Sequence, residues 1–166
     1  MPTRLAKITL PAAVGLYLAL VVFNNLTDYG SNHAFVQHVL AMDTTFPGNA
    51  GMWRAIRAPW IVHAFYGSII VWEAIAGALV IAGAWRMWQA RRAPAPHFAG
   101  AKQLAIAGLA LNMLQWLVAF LAVGGEWFLM WQSGTWNGSE VAGRMFVVAG
   151  VVLIFVNAPD GDGPAS

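Results

Sequence analysis

The chain contains no cysteine. That absence excludes disulfides, thiolate metal sites and cysteine nucleophiles, and it leaves the redox compartment open. Charge is scarce as well: 10% of the 166 residues are Asp, Glu, Lys or Arg, where soluble domains carry ~25%. The net charge of +2 is too small to recruit nucleic acid, so no nucleic-acid partner is expected. No G-x-S-x-G, P-loop, H-E-x-x-H or dinucleotide fingerprint occurs. The chain therefore reads as a non-enzyme, with no catalytic residue, metal or cofactor expected.

Long apolar runs are what it has in abundance, with 59% hydrophobic residues and nine tryptophans. The stretch from Pro59 to Trp88 is the clearest. As a helix rising ~1.5 Å per residue it covers roughly 40 Å, enough for a ~30 Å hydrocarbon core and both interfaces. Trp60, Trp85 and Trp88 fall where aromatic belts belong. Similar runs predict an all-α integral membrane protein, a four-helix transmembrane bundle in one domain over 1–166. Its spans are expected at about 5–27, 59–88, 103–123 and 141–157. Pro11 is tolerated early in the first span. No small-x-small cleavage site follows that span, which argues against a secretory signal.

Between the spans lie two apolar-rich loops, 28–58 and 124–140, expected to hold interfacial helices. Ser31 or Asn32 is placed to cap a short helix ending at Met42, and Pro47, Gly48 and Asn49 read as turns. The tail 158–166 is polar and reads as disordered. Basic residues cluster at the N-terminus (Arg4, Lys7) and after the second span (Arg86, Arg91, Arg92, Lys102). Loop 28–58 balances Arg54 and Arg57 against Asp28 and Asp43, and loop 124–140 holds only Glu126 and Glu140. The positive-inside rule thus places both termini in the cytoplasm and both of these loops outside.

Glu73 breaks the longest apolar run, roughly 20 Å in from Trp60 and near the bilayer centre. A carboxylate there costs ~2.5–3.5 kcal/mol on insertion scales, so it must be neutral, paired or facing water. Tyr66 shares its stripe, with His63 one turn earlier at the edge. Counting along the antiparallel third span brings Asn112 and Gln115 to similar depth. These residues (Glu73, Asn112, Gln115, Tyr66, His63) form a candidate intramembrane polar cluster. Two readings stand: hydrogen bonds that hold the bundle together, or a proton relay, ion relay or ligand site.

Other patterns are weaker. His33 and His38 do not share a helix face, and with His63 and His97 they read as interfacial histidines rather than haem or metal ligands. Ala74, Ala78 and Ala82 give small-xxx-small spacing, read as packing within the chain ahead of a dimer interface. Trp127, Trp131 and Trp136 read as interface anchors. Asn24, Asn25, Asp28 and Asp43 are candidates to bind the backbone of an outer-loop cap over the bundle.

The segments VVFNNLTDYGSN and AFVQHVLAMDTTFPGN after the first span, and VGGEWFLMWQSGTWNG after the third, carry a resemblance. With Met52-Trp53-Arg54-Ala55-Ile56 and Glu73 between them, the chain resembles a bacterial family of predicted small integral membrane proteins, a domain of unknown function. The resemblance implies a four-span protein of the bacterial inner membrane and transfers no activity or functional residue.

The leading expectation is a non-enzymatic accessory subunit or binding partner in a membrane complex. Its partners would be the lipid bilayer and other membrane proteins. The alternative is a small transporter or ligand-binding membrane protein that uses the intramembrane carboxylate. A cavity reaching Glu73 would favour the alternative, and a dry interior the first.

Overall fold

The computed structural model describes residues 1–160, over which the chain is helices and turns without strands. Four helical runs are long and apolar enough to cross a membrane. Helix α1 is Pro2–Thr27. After a break at Asp28, α2 (Tyr29–Ala41) folds back, followed by a 3-10 turn at Ala50–Arg54. Helix α3 is Pro59–Gln89, opened by a proline in its first turn, where the missing N–H costs nothing. The third run comprises α4 (Ala95–Ala101), α5 (Gln103–Leu114) and a π-helical segment (Gln115–Trp127). Helix α6 is Ser139–Asn157. The fold is a four-helix membrane bundle.

The spans differ from expectation mainly in the third, which runs from Ala95 to Trp127 rather than over 103–123. Pro94 and Pro96 sit at the N-cap and first turn of α4, where proline is preorganised for a helix. At the other end Gly124-Gly125 does not stop the chain, because the wide π turns continue through both. Helix α2 begins at Tyr29, before the expected caps Ser31 and Asn32, and Asn32 spends its amide elsewhere.

The helices approach through small residues, as expected where lipid offers no hydrophobic drive for association. A Cβ on Gly108 would sit 2.7 Å from the Val80 backbone nitrogen, and one on Gly83 would collide with Ala105. These contacts set α5 against α3. Ala74, Ala78 and Ala82, expected to do this, lie exposed on the opposite face of α3 with Val71 and Ile75. The packing stripe of α3 is instead Ala76, Val80, Gly83 and Met87, offset by two residues.

Both loops, 28–58 and 124–140, cover the same end of the bundle and touch each other. Thr44 Oγ1 donates to Ser133 Oγ at 2.8 Å, and the Phe46 N–H donates to Gln132 Oε1 at 3.1 Å. Trp136 stacks on His38, and Trp53 meets Trp127 edge to face. At the other end Asp160 lies between Lys7 and Lys102, all with buried side chains. Lys7 Nζ also donates to the carbonyls of Ala158 and Pro159. So the first residues of the expected disordered tail are held by two lysines; residues 161–166 lie outside the described part.

Candidate functional site

The site is built on Glu73, which lies close to the midpoint of α3 and is 3% exposed. Two amides from different helices clamp its carboxylate. Asn25 Nδ2 of α1 donates to Oε2 at 2.8 Å, and Gln115 Nε2 donates to Oε1 at 3.1 Å. Asn25 is itself fixed by Asn32 Nδ2, which donates to its Oδ1 at 2.7 Å, and its backbone carbonyl accepts from Tyr66 Oη at 3.3 Å. Helices α1, α2, α3 and the start of the π segment thus converge on one carboxylate through uncharged groups.

Asn25 reaches this position because α1 buries a stripe at Pro11, Gly15, Leu18 and Asn25. That stripe has the three- and four-residue spacing of a helix face, and it was the signal that could have taken Asn25 out of the cap. The cap residues Asn24, Asp28 and Asp43 stay exposed. Asp43 accepts from His38 Nδ1 at 2.8 Å rather than binding backbone. The cap is held by Thr44, Ser133, Gln132 and aromatic contacts instead.

Asn112 has a different partner from the one expected. Its Oδ1 accepts from Trp116 Nε1 at 3.0 Å, one helical turn on, and it makes no hydrogen bond to Glu73. Gln115, three residues along, takes the place assigned to both. Its Oε1 is buried without a hydrogen-bond partner. The π segment starts at Gln115, so the residues facing Glu73 sit where the helix changes winding, a feature common at functional sites.

Towards the loop end the site continues as a layer of rings that sequence reasoning did not assemble. His63 Nδ1 and Tyr29 Oη lie 2.9 Å apart. His33 stacks on His63 with centroids 4.3 Å apart, and Tyr29 packs on Tyr66 at 4.7 Å. Burial pushes the His33 imidazole below its ordinary value, and the neighbouring His63 adds to this. The fold-back of α2 onto the first turns of α3 makes these contacts, and no local spacing announces such a contact. Among the described residues no three His, Asp or Glu side chains converge to hold a metal ion.

Beside Glu73 is a cavity of about 300 Å³. Asn25, Asn32, Tyr66 and Glu73 form its polar side, and Phe35, Trp116 and Phe120 its aromatic side. Asn137 and Gly138 border it from the last loop. Asn32 and Asn137 are solvent-exposed, so the cavity opens at the loop end. A volume at the lower end of ligand pockets, mostly apolar with a few convergent polar groups, is the arrangement small-molecule sites share. Chemically it offers hydrogen-bond acceptors and π-faces, and among the described residues the carboxylate has no ion-pair partner.

The family model described as "Predicted small integral membrane protein (DUF2165)" covers residues 3–159. No curated protein and no solved structure matches the chain.

Proposed function

Since the chain belongs to the DUF2165 family of predicted small integral membrane proteins, we propose that it works inside the bilayer as a ligand-binding protein, with Glu73 as the recognising group. The observation that carries this is the cavity of about 300 Å³ with Glu73 in its wall. Hydrogen bonds from Asn25 and Gln115 account for the burial of Glu73, and they do not call for the void beside it. This favours ligand binding over the accessory-subunit role, which needs no cavity.

The clamp indicates what kind of ligand. Asn25 and Gln115 hold both carboxylate oxygens as acceptors but bring no positive charge. An ionised carboxylate at this depth lacks compensation until a cation or proton supplies it. Phe35, Trp116 and Phe120 present π-faces suited to an organic cation. The ligand class is therefore a small cationic or hydrogen-bond-donating molecule. The protein performs no covalent chemistry on it. It resides in the inner membrane of a bacterium with both termini in the cytoplasm.

A hydrophobic carbodiimide tests the reading, because it modifies carboxyl groups it can reach within a membrane. Purified protein in mild detergent should gain an adduct mapped to Glu73 by peptide mass, absent in Glu73→Gln. Labelling confined to the exposed Glu126 and Glu140, with Glu73 untouched, would show a closed interior and overturn the proposal.

A further inference from the structure

A second void lies next to the first. It measures about 180 Å³ and runs between α2, α3 and the π segment. Its walls are almost wholly apolar, among them Val39, Trp72, Val123 and Met130. Phe65 and Val118, on its margins, are exposed on the flanks of two spanning helices. The cleft therefore opens sideways, towards lipid, whereas the Glu73 cavity opens at the loop end. Phe35, Val36, Ile69 and Phe120 belong to both walls and form the partition between the two.

Gln115 bridges them. It lines the apolar cleft, yet its Nε2 donates to Glu73 Oε1 at 3.1 Å. Its Oε1, with the residue 1% exposed, has no hydrogen-bond partner among the described residues. A buried acceptor left unpaired is costly, and each such group in a native protein calls for an explanation such as a missing ligand. Glu73 and Gln115 together thus present two acceptors at the boundary between a polar chamber and a hydrocarbon-lined one.

From this juxtaposition, and resting on the reading of Glu73 as a ligand site, we propose that the ligand is a single-chain primary amine. Its ammonium is held between Glu73 and Gln115 Oε1, and its hydrocarbon chain lies in the cleft beside α2, α3 and the π segment. A primary ammonium has N–H donors for both acceptors, which a quaternary one lacks. Lateral access from the bilayer suits a molecule that partitions into lipid before it binds. The ring pair Phe35 and Phe120, in the shared wall, is where head and tail would part company.

The test uses butylamine, dodecylamine and dodecyltrimethylammonium, with binding to the purified full chain in mild detergent read by native mass spectrometry. Dodecylamine should bind roughly tenfold or more tightly than butylamine, because the extra methylenes leave water for the cleft. Ala119 and Ser68 line the cleft, so Ala119→Trp and, independently, Ser68→Phe fill it; each should erase that advantage and leave butylamine binding as it was, which also reports that the variant is folded. Dodecyltrimethylammonium should bind more weakly than dodecylamine. Equal affinity for both amines, or a chain-length advantage that survives both cleft variants, overturns the placement of the tail and leaves the Glu73 reading standing. Equal affinity for the trimethylated compound overturns the role given to Gln115. Binding of no amine, or binding unchanged in Glu73→Gln, overturns the ligand-site reading and this inference with it.

Discussion

At the scale of single residues, the Glu73 clamp makes an asymmetric prediction. A glutamine at 73 has one acceptor and one donor group, so one of its two amide neighbours must turn round. Asn25 is pinned, because its Oδ1 already accepts from Asn32. Gln115 is free to flip, because its Oε1 has no partner to lose. Glu73→Gln should therefore keep the stability of the parent, while Glu73→Leu strands two buried donors and should lose about 1–2 kcal/mol, the upper scale of polar contacts between membrane helices. Thermal unfolding in detergent checks both; equal losses for the two variants would show that charge, not hydrogen bonding, holds the clamp. Part of this site was legible beforehand. Glu73, Gln115 and Tyr66 were read from depth and helical stripe, because a carboxylate in an apolar run is conspicuous and antiparallel spans fix relative depth. Asn25 was not, since as the last polar residue of an apolar run it looks like part of the loop. Its place on the buried face appears only when Pro11, Gly15 and Leu18 are counted with it.

At the scale of elements, the end opposite the cavity is closed by a clasp that ties three helices to one carboxylate. Lys7 of α1 lies 2.9 Å from Asp160, which also pairs with Lys102 at the α4–α5 junction, just beyond the end of α6. Burial alone would push the Asp160 carboxyl up, but the hydrogen bonds from Lys102 and Lys7 outweigh it and hold it below the usual carboxylate range. A carboxyl whose folded value is depressed lends stability above its unfolded value near ~4 and loses it as pH falls through the folded value. Asp160→Asn should thus cost about 1–3 kcal/mol at neutral pH, as expected for buried donors deprived of a charged partner. The gap between parent and variant should close on acidification below the ordinary carboxylate range. Unfolding curves that keep the same separation at the lowest accessible pH would contradict the clasp. This contact was invisible in the sequence, where Lys7 and Lys102 read as basic residues that set the topology and Asp160 as part of a disordered tail. The four spans were legible because bilayer thickness dictates their length and hydropathy. The π winding after Leu114 was not, since no residue type marks it and the change becomes evident only in the hydrogen-bond pattern.

At the scale of the whole molecule, orientation follows from an asymmetry that the clasp does not remove. Arg4, Arg86, Arg91 and Arg92 join Lys7 and Lys102 at the end where the start of α1 and Asp160 lie. Asp160 neutralises part of that charge, but acidic residues count for little in setting orientation. The opposite end carries Arg54 and Arg57 together with Asp28, Asp43, Glu126 and Glu140. Contacts such as Thr44 to Ser133 and Trp53 to Trp127 put loops 28–58 and 124–140 together there. The mouth of the Glu73 cavity, bordered by Asn32 and Asn137, therefore shares a side with both loops. If the basic end faces the cytoplasm, the cavity opens to the periplasm, and a ligand would be taken from outside or from the outer leaflet. Reporter fusions after Ala90 should accordingly give cytoplasmic activity, and fusions after Asn49 or Gly134 periplasmic activity. Glu73→Gln should leave this pattern unchanged, since orientation is set by the basic residues rather than by the buried acid. The opposite pattern at any two of the three positions would reverse the molecule and turn the cavity towards the cytoplasm.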